Sequence, residues 1–260
     1  MAKDTPETFY LKDYTPFGYD VDSVHLTFRL TPETTRVLSK IRFAPKQDAA
    51  DKTFFLHGEQ LQLISAKIEG QAVTPELVDG GLTCDVPSAP FTWEAEVEIN
   101  PAGNTALEGL YMSNRMYCTQ CEAEGFRKIT YYPDRPDVMS TFSVRIEGDE
   151  EVLLSNGNPV GQGEGWAEWH DPWPKPAYLF ALVAGDLVNH PDSFTTKSGK
   201  AVELNIWVRP GDEDKCAFGM EALKKSMQWD EDVYGLEYDL DIFNIVAVDD
   251  FNMGAMENKG

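Results

Sequence analysis

The residues best suited to chemistry gather at two places in the 260-residue chain. The first is Cys118-Thr119-Gln120-Cys121-Glu122-Ala123-Glu124-Gly125, where two thiols lie beside two carboxylates. A CxxC can serve as a dithiol redox pair or as half of a zinc ribbon; Cys84 and Cys216 lie too far away in sequence to make the second zinc half-site, and these thiols read as small buried side chains. The second place is Phe251-Asn252-Met253-Gly254-Ala255-Met256-Glu257-Asn258-Lys259-Gly260, a glycine-punctuated loop after a strongly apolar run. Loops leaving the carboxyl end of a buried strand are where sites are commonly built. The histidines are His25, His57, His170 and His190. They form no HExxH and no i, i+4 pair that would set two imidazoles on one helix face, so the sequence offers no zinc site and no metal ligands. The acidic groups at 212–214 and 230–232 lack an EF-hand pattern and read as helix-end charges. Trp166, Trp169 and Trp173 read as core or domain-interface packing rather than a ligand platform.

The elements that must position these stretches follow from hydrophobic periodicity. Val24, Leu26, Phe28 and Leu30 alternate with polar residues, as do Val37, Ser39, Ile41 and Phe43, and then Phe91, Trp93, Ala95, Val97 and Ile99. Such alternation makes strands with one buried face. Further strands are expected at 141–147, 152–154 and 178–183, separated by Gly- and Pro-rich reversals. No helical period interrupts them, so the pattern predicts a mainly β unit over 1–188, an antiparallel sandwich or saddle of sheets. Past residue 188 the logic changes. A strand at 201–208 is followed by Pro210-Gly211, by the acidic trio Asp212, Glu213 and Asp214, and by Cys216, Met220, Leu223, Met227 and Tyr234 at helical spacing, with Gly235 as the stop. An apolar run at 240–248 completes a strand-helix-strand unit, which places an α+β region at 189–260.

Gly254-Ala255-Met256-Glu257-Asn258 resembles the GAMEN exopeptidase motif of the M1 family of zinc aminopeptidases. The block from Cys118 to Gly125, followed by Tyr131-Tyr132-Pro133-Asp134-Arg135-Pro136-Asp137, looks like the stretch that holds the other amine-binding glutamate in bacterial members. Leu154-Ser155-Asn156-Gly157-Asn158 and the stretch at 178–186 extend the similarity over nearly the whole chain. The resemblance implies that 1–188 is the family's amino-terminal β domain and that 189–260 opens a thermolysin-like catalytic domain. It implies a substrate-binding set of Gln120, Glu122, Met253, Gly254, Ala255, Met256, Glu257 and Asn258. Within that set, Glu122 and Glu257 bind the free α-ammonium of a peptide, Gly254 and Ala255 contact its backbone, and Gln120 and Met253 line the pocket for its first side chain.

Paired carboxylates suit such a task. An ion pair with hydrogen bonds in a partly dry site favours a charged amine over an acylated, neutral peptide nitrogen. In the family the HExxH helix, a third ligand glutamate and a tyrosine that stabilises the tetrahedral intermediate all lie downstream of GAMEN. The chain is therefore expected to be the amino-terminal part of a longer enzyme. Zn would be the cofactor of the full-length protein and none would be bound here, so the fragment alone would be inactive. A relative that also opens an epoxide is a second possibility within the family. The alternative from another class is a non-catalytic β-sandwich that binds peptides or a protein partner.

Composition narrows the partners. The chain carries 44 acidic and 22 basic residues, a net charge of -22, with 42% hydrophobic residues. Such a balance repels phosphate backbones and anionic lipid, so neither nucleic acid nor membrane is an expected partner, and peptides with a free amino terminus are. The segment from Met1 to Tyr14 is polar and charged without an apolar stretch, and four cysteines make no disulfide framework, so the expected location is cytoplasmic. The full-length protein is expected to be monomeric. The region at 189–260 is expected to leave apolar faces of its strands and helix exposed.

Overall fold

The three alternating runs fold as β1 (Tyr19–Arg29), β2 (Thr35–Pro45) and, after β3 (Phe55–His57), β4 (Gln62–Ile68), β5 (Gln71–Val73), β6 (Glu76–Val78) and β7 (Gly81–Thr83), as β8 (Phe91–Ile99). This computed structural model describes residues 10–49 and 52–260, so most of the Met1 to Tyr14 segment lies outside the described residues. The chain continues through β9 (Gly109–Ser113), β10 (Met116–Gln120), β11 (Ser140–Glu147), β12 (Val152–Ser155), β13 (Asn158–Gly163), β14 (Trp166–Lys175) and β15 (Leu182–Gly185). Last come β16 (Val188–Thr195), β17 (Ala201–Val208), the helix α1 (Ala217–Val233) and β18 (Ile242–Val246).

Period-two patterning decides which side of each strand meets the core. Val24 and Phe28, Val37, Ile41 and Phe43, and Phe91, Trp93 and Val97 are each 0% exposed. On the opposite face of the same strands Arg36 pairs with Glu96 and Glu98, and Lys40 with Glu94. These exposed ladders neutralise charge but contribute only about 0–1 kcal/mol each.

The sheet built on these strands has eight, in the order β13-β14-β11-β1-β2-β8-β4-β5. A four-stranded sheet, β12-β15-β10-β9, lies beside it, together with a small one of β3, β7 and β6. The architecture is mainly β, as the alternation implied, but not purely antiparallel. β1 runs parallel to β11, with Val24 opposite Phe142, because the chain returns to β1 through the long excursion that makes β9 and β10.

Beyond Gly185 the sheet order is β16-β17-β18, with β17 and β18 parallel across α1. The inner face of β17 is not exposed as expected. Val202, Leu204, Ile206 and Val208 are at most 6% exposed, packed with Cys216, Met220 and Met227 at and along the helix. On the other side Trp207 and Val246 pack against Tyr111, Met116 and Cys118 of β9 and β10. The central strand β17 is thus covered from both sides, by α1 and by the four-stranded sheet, while β18 stays half-buried. What remains exposed is the outer surface of α1, where Phe218 is 82% and Trp229 52% exposed.

Three sequence expectations shift. Residues 178–183 are not one strand: a 3-10 turn at Ala177–Leu179 follows Pro176, and β15 starts at Leu182. Tyr234 lies past the last helical residue and is 62% exposed, because the chain turns away at Gly235 with φ 67°. Of the tryptophans, Trp169 is buried and bonds the Leu153 carbonyl, whereas Trp166 stacks under Arg145 and Trp173 is 47% exposed, outside any core. No helix among the described residues is long and apolar enough to cross a membrane.

Candidate functional site

β10 is buried along its whole length. Tyr117 joins the main core while Cys118 faces Tyr111 and the second sheet. At its end Gln120 is 0% exposed. The chain then turns out through buried Cys121 to exposed Glu122. The turn is tight: the Gly125 amide donates to the Cys121 carbonyl at 2.9 Å, and a Cβ on Gly125 would lie 2.5 Å from the Gln120 carbonyl oxygen, so only glycine fits. Arg127 braces its far side by donating its backbone N–H and its Nε to Asp134, both at 3.1 Å. Burial raises the Asp134 carboxyl above its ordinary range, and the Arg127 bonds oppose that rise. Glu122 itself donates its amide to Gln120 Oε1 at 3.3 Å.

The second segment, from Val248 to Gly260, has no regular structure, and side chains hold it to the β sheets. Tyr111 Oη donates to the Asp250 carbonyl at 2.7 Å, and Ser113 Oγ donates to the Asp250 carboxylate at 2.8 Å. Arg209 pairs with Asp249 at 2.9 Å. Gln120 Nε2 donates to Asn252 Oδ1 at 3.3 Å, and Asn252 Nδ2 donates to the Leu107 carbonyl at 3.1 Å. At the far end Asn258 donates to the Leu179 and Phe180 carbonyls at 3.2 Å. Asn156, 3% exposed, completes the attachment. Its Nδ2 donates to the Lys259 carbonyl at 2.6 Å and to that of Leu179 at 3.1 Å, while its Oδ1 accepts the Ala181 N–H at 2.7 Å.

Between this loop and the sheets lies a cleft of about 630 Å³. Met253, Gly254, Ala255, Met256, Glu257 and Asn258 all line it, facing Cys118, Thr119 and Asn156. Gln120 and Glu122 are not on its wall; the Gln120–Asn252 bond joins them to the loop instead. Among the described residues the ionisable groups lining the cleft are Asp249, Glu257 and the Cys118 thiol, which burial pushes up to about 11, and no lysine, arginine or histidine lines it. A Cβ at Gly254 would meet nothing within 4 Å. The fold therefore does not demand glycine there.

Sequence reasoning missed the residues that hold the loop: Tyr111, Ser113, Asn156 and Asn252. An asparagine shows its bonding only when its partners are known, and the Asn156 bond to Lys259 spans 103 positions. No group of three or more His, Cys, Asp or Glu side chains that could hold a metal ion occurs among the described residues. His57 Nδ1 accepts the Asp134 N–H and His170 Nδ1 bonds Ser143, so these rings serve the β scaffold. The residues present do not fit zinc.

The Peptidase M1 N-terminal domain matches residues 15–179, and the Peptidase family M1 domain matches residues 218–260. Aminopeptidase N of Caulobacter vibrioides is 49% identical over 270 residues, covering 100% of this chain and 31% of its own length. Aminopeptidase N of Escherichia coli is 49% identical over 264 residues, covering 98% of this chain and 30% of its own. The chain thus spans 30–31% of the length of these relatives. Among solved structures, Legionella pneumophila aminopeptidase A in complex with aspartic acid superposes with a TM-score of 0.87 at 32% identity, over 94% of this chain and 30% of that one. On the two matching domain models, in chain order and together spanning most of the described residues, the chain belongs to peptidase family M1.

Proposed function

We propose that this chain is the amino-terminal, substrate-recognising part of a zinc aminopeptidase that hydrolyses the amino-terminal residue from peptides, with 1–188 as the β domain and 189–260 as the start of the catalytic one. One observation carries the reading. The loop that bears Glu257 lines a cleft where, among the described residues, no basic side chain stands on the wall and the other carboxylate, Asp249, is already paired with Arg209, and a direct side-chain bond ties this loop to the strand end that leads to Glu122. A cleft of that sign attracts an ammonium group and resists a carboxylate.

Glu122 and Glu257 bind and orient the substrate amine, accepting its N–H donors. Gly254 and Ala255 let a peptide backbone approach, and the open space beside Gly254 supports that role. Met253 borders the position of the first side chain, Gln120, buried and off the cleft wall, supports it through its bond to Asn252, and Met256 and Asn258 complete the loop. Asn258 already spends its donors on two backbone carbonyls, so it serves the substrate by fixing the loop. Zinc is the cofactor we infer for the complete enzyme; no residue of this chain is assigned to it. The protein is proposed to be a cytoplasmic monomer.

The test is Glu257→Gln in the complete enzyme. Removing one charged partner of the amine lowers kcat/KM for aminoacyl substrates on the order of a hundredfold, the equivalent of about 2–3 kcal/mol. Unchanged turnover, or activity of the 260-residue chain alone that Glu257→Gln abolishes, would sink the proposal.

A further inference from the structure

We infer that Asn252 is the positioning residue that couples the loop carrying Glu257 to the segment carrying Glu122, an inference that rests on the amine-recognition reading above. Asn252 does not line the cleft, so it acts through another residue. That residue is Gln120. A single chain of hydrogen bonds runs from the Leu107 carbonyl to Asn252 Nδ2 at 3.1 Å, from Asn252 Oδ1 to Gln120 Nε2 at 3.3 Å, and from Gln120 Oε1 to the Glu122 amide at 3.3 Å.

Both ends of this chain are backbone groups, and they fix its direction. A carbonyl can only accept and an amide N–H can only donate. Turning over the Gln120 side chain would set its NH₂ against the Glu122 N–H, and turning over Asn252 would set carbonyl against carbonyl at Leu107. Each amide therefore has one orientation that satisfies both of its neighbours. Gln120 is 0% exposed, so solvent offers it no substitute partner. The orientation of Gln120 that holds the Glu122 main chain is thus the one that Asn252 secures from the opposite loop, one residue before Met253. The two halves of the amine anchor do not take up their positions independently.

The experiment uses Asn252→Asp in the complete enzyme. Aspartate keeps the size and an acceptor for Gln120 but has no donor for the Leu107 carbonyl. Two measurements are paired: hydrogen exchange in a peptide covering 119–125, and inhibition by L-phenylalaninamide against 3-phenylpropanamide, which differ only by the amine. Exchange at Glu122 is expected to accelerate about tenfold, and the inhibition ratio to fall about tenfold, the size of one hydrogen bond to a charged or buried group. Asn252→Leu, which removes both bonds, gives the larger drop. A uniform loss of affinity for both compounds marks a merely structural role and overturns the inference, as does unchanged exchange. If the wild-type enzyme discriminates and Asn252→Asp discriminates equally, the inference alone falls. If the wild-type enzyme does not prefer the amine, the amine-recognition reading falls and takes the inference with it.

Discussion

β10 and the loop at 248–260 each deliver part of the proposed amine anchor, yet they are held by different forces. Gln120 ends a strand whose five residues are all buried, and its place is set by packing on two sides. Glu257 stands exposed on a segment without regular structure, and that segment is fixed by side-chain hydrogen bonds to main-chain groups. Packing is non-directional and spread over many residues, so no single polar contact sets the place of the strand itself. Hydrogen bonds are directional and few, so each carries a larger share of the local geometry. One site thus joins a half set by packing spread over many residues to a half set by a few directional bonds.

Three measurements would break or sharpen this contrast. The largest effect belongs to the packed half. Phe91 is 0% exposed and touches the rings of Tyr19, Phe43 and Phe54, so Phe91→Ala should cost about 3–5 kcal/mol in urea unfolding. A loss below about 1 kcal/mol would mean that core packing does not hold this half as described. Next comes the bonded half, where Asn156→Ala strands the Ala181 N–H and the Lys259 carbonyl. A cost of about 2–3 kcal/mol is expected, with hydrogen exchange quickened at 181 and across 251–260 and unchanged in β1, β2 and β8. Quickening throughout the β sheets would show that the two halves are not separable.

The smallest effect lies in β14, in the buried Lys175–Asp171 pair. Lys175 is buried against Asp171 at 3.0 Å with its Nζ 4.2 Å from the centre of the Phe142 ring, and burial pulls it down to about 8, with nearby Lys259 adding to the fall. Between pH 8 and the ordinary lysine value the unfolded chain holds a proton that the folded one has released. Stability on this account rises with pH across that window by roughly 2 kcal/mol and is flat below it. The rise should vanish in Lys175→Met; a profile that falls over the same window would reverse the assignment.

The fold was legible wherever burial follows a local period. The runs at 24–30, 37–43 and 91–99 became β1, β2 and β8, and Gly235 ends α1. The sequence pattern could not reveal the parallel pairing of β1 with β11, because pairing partners are set by long connections and not by local alternation. The turn at Ala177–Leu179 was hidden inside an apolar run, since Phe180 is buried whether or not the backbone is extended. At the site, Glu257 and its neighbours stood out as a motif. Asn156 and Asn252 did not, because their meaning lies in carbonyls far off in the chain.

Those distances have a consequence in time. The hydrogen bonds from residues of 107–180 to the loop join positions between 78 and 145 apart, and in every one the earlier residue is on the sheet side. Synthesis proceeds from the amino end, and early units fold first as they emerge. Leu107, Tyr111, Ser113, Asn156 and Leu179 have therefore left the ribosome before Asn252 or Glu257 is made. The loop at 248–260 therefore emerges after the strands it bonds to, and its shape is set by docking onto them. Changes that slow the β sheets during translation should then appear as a disordered loop long before they appear as an unfolded protein.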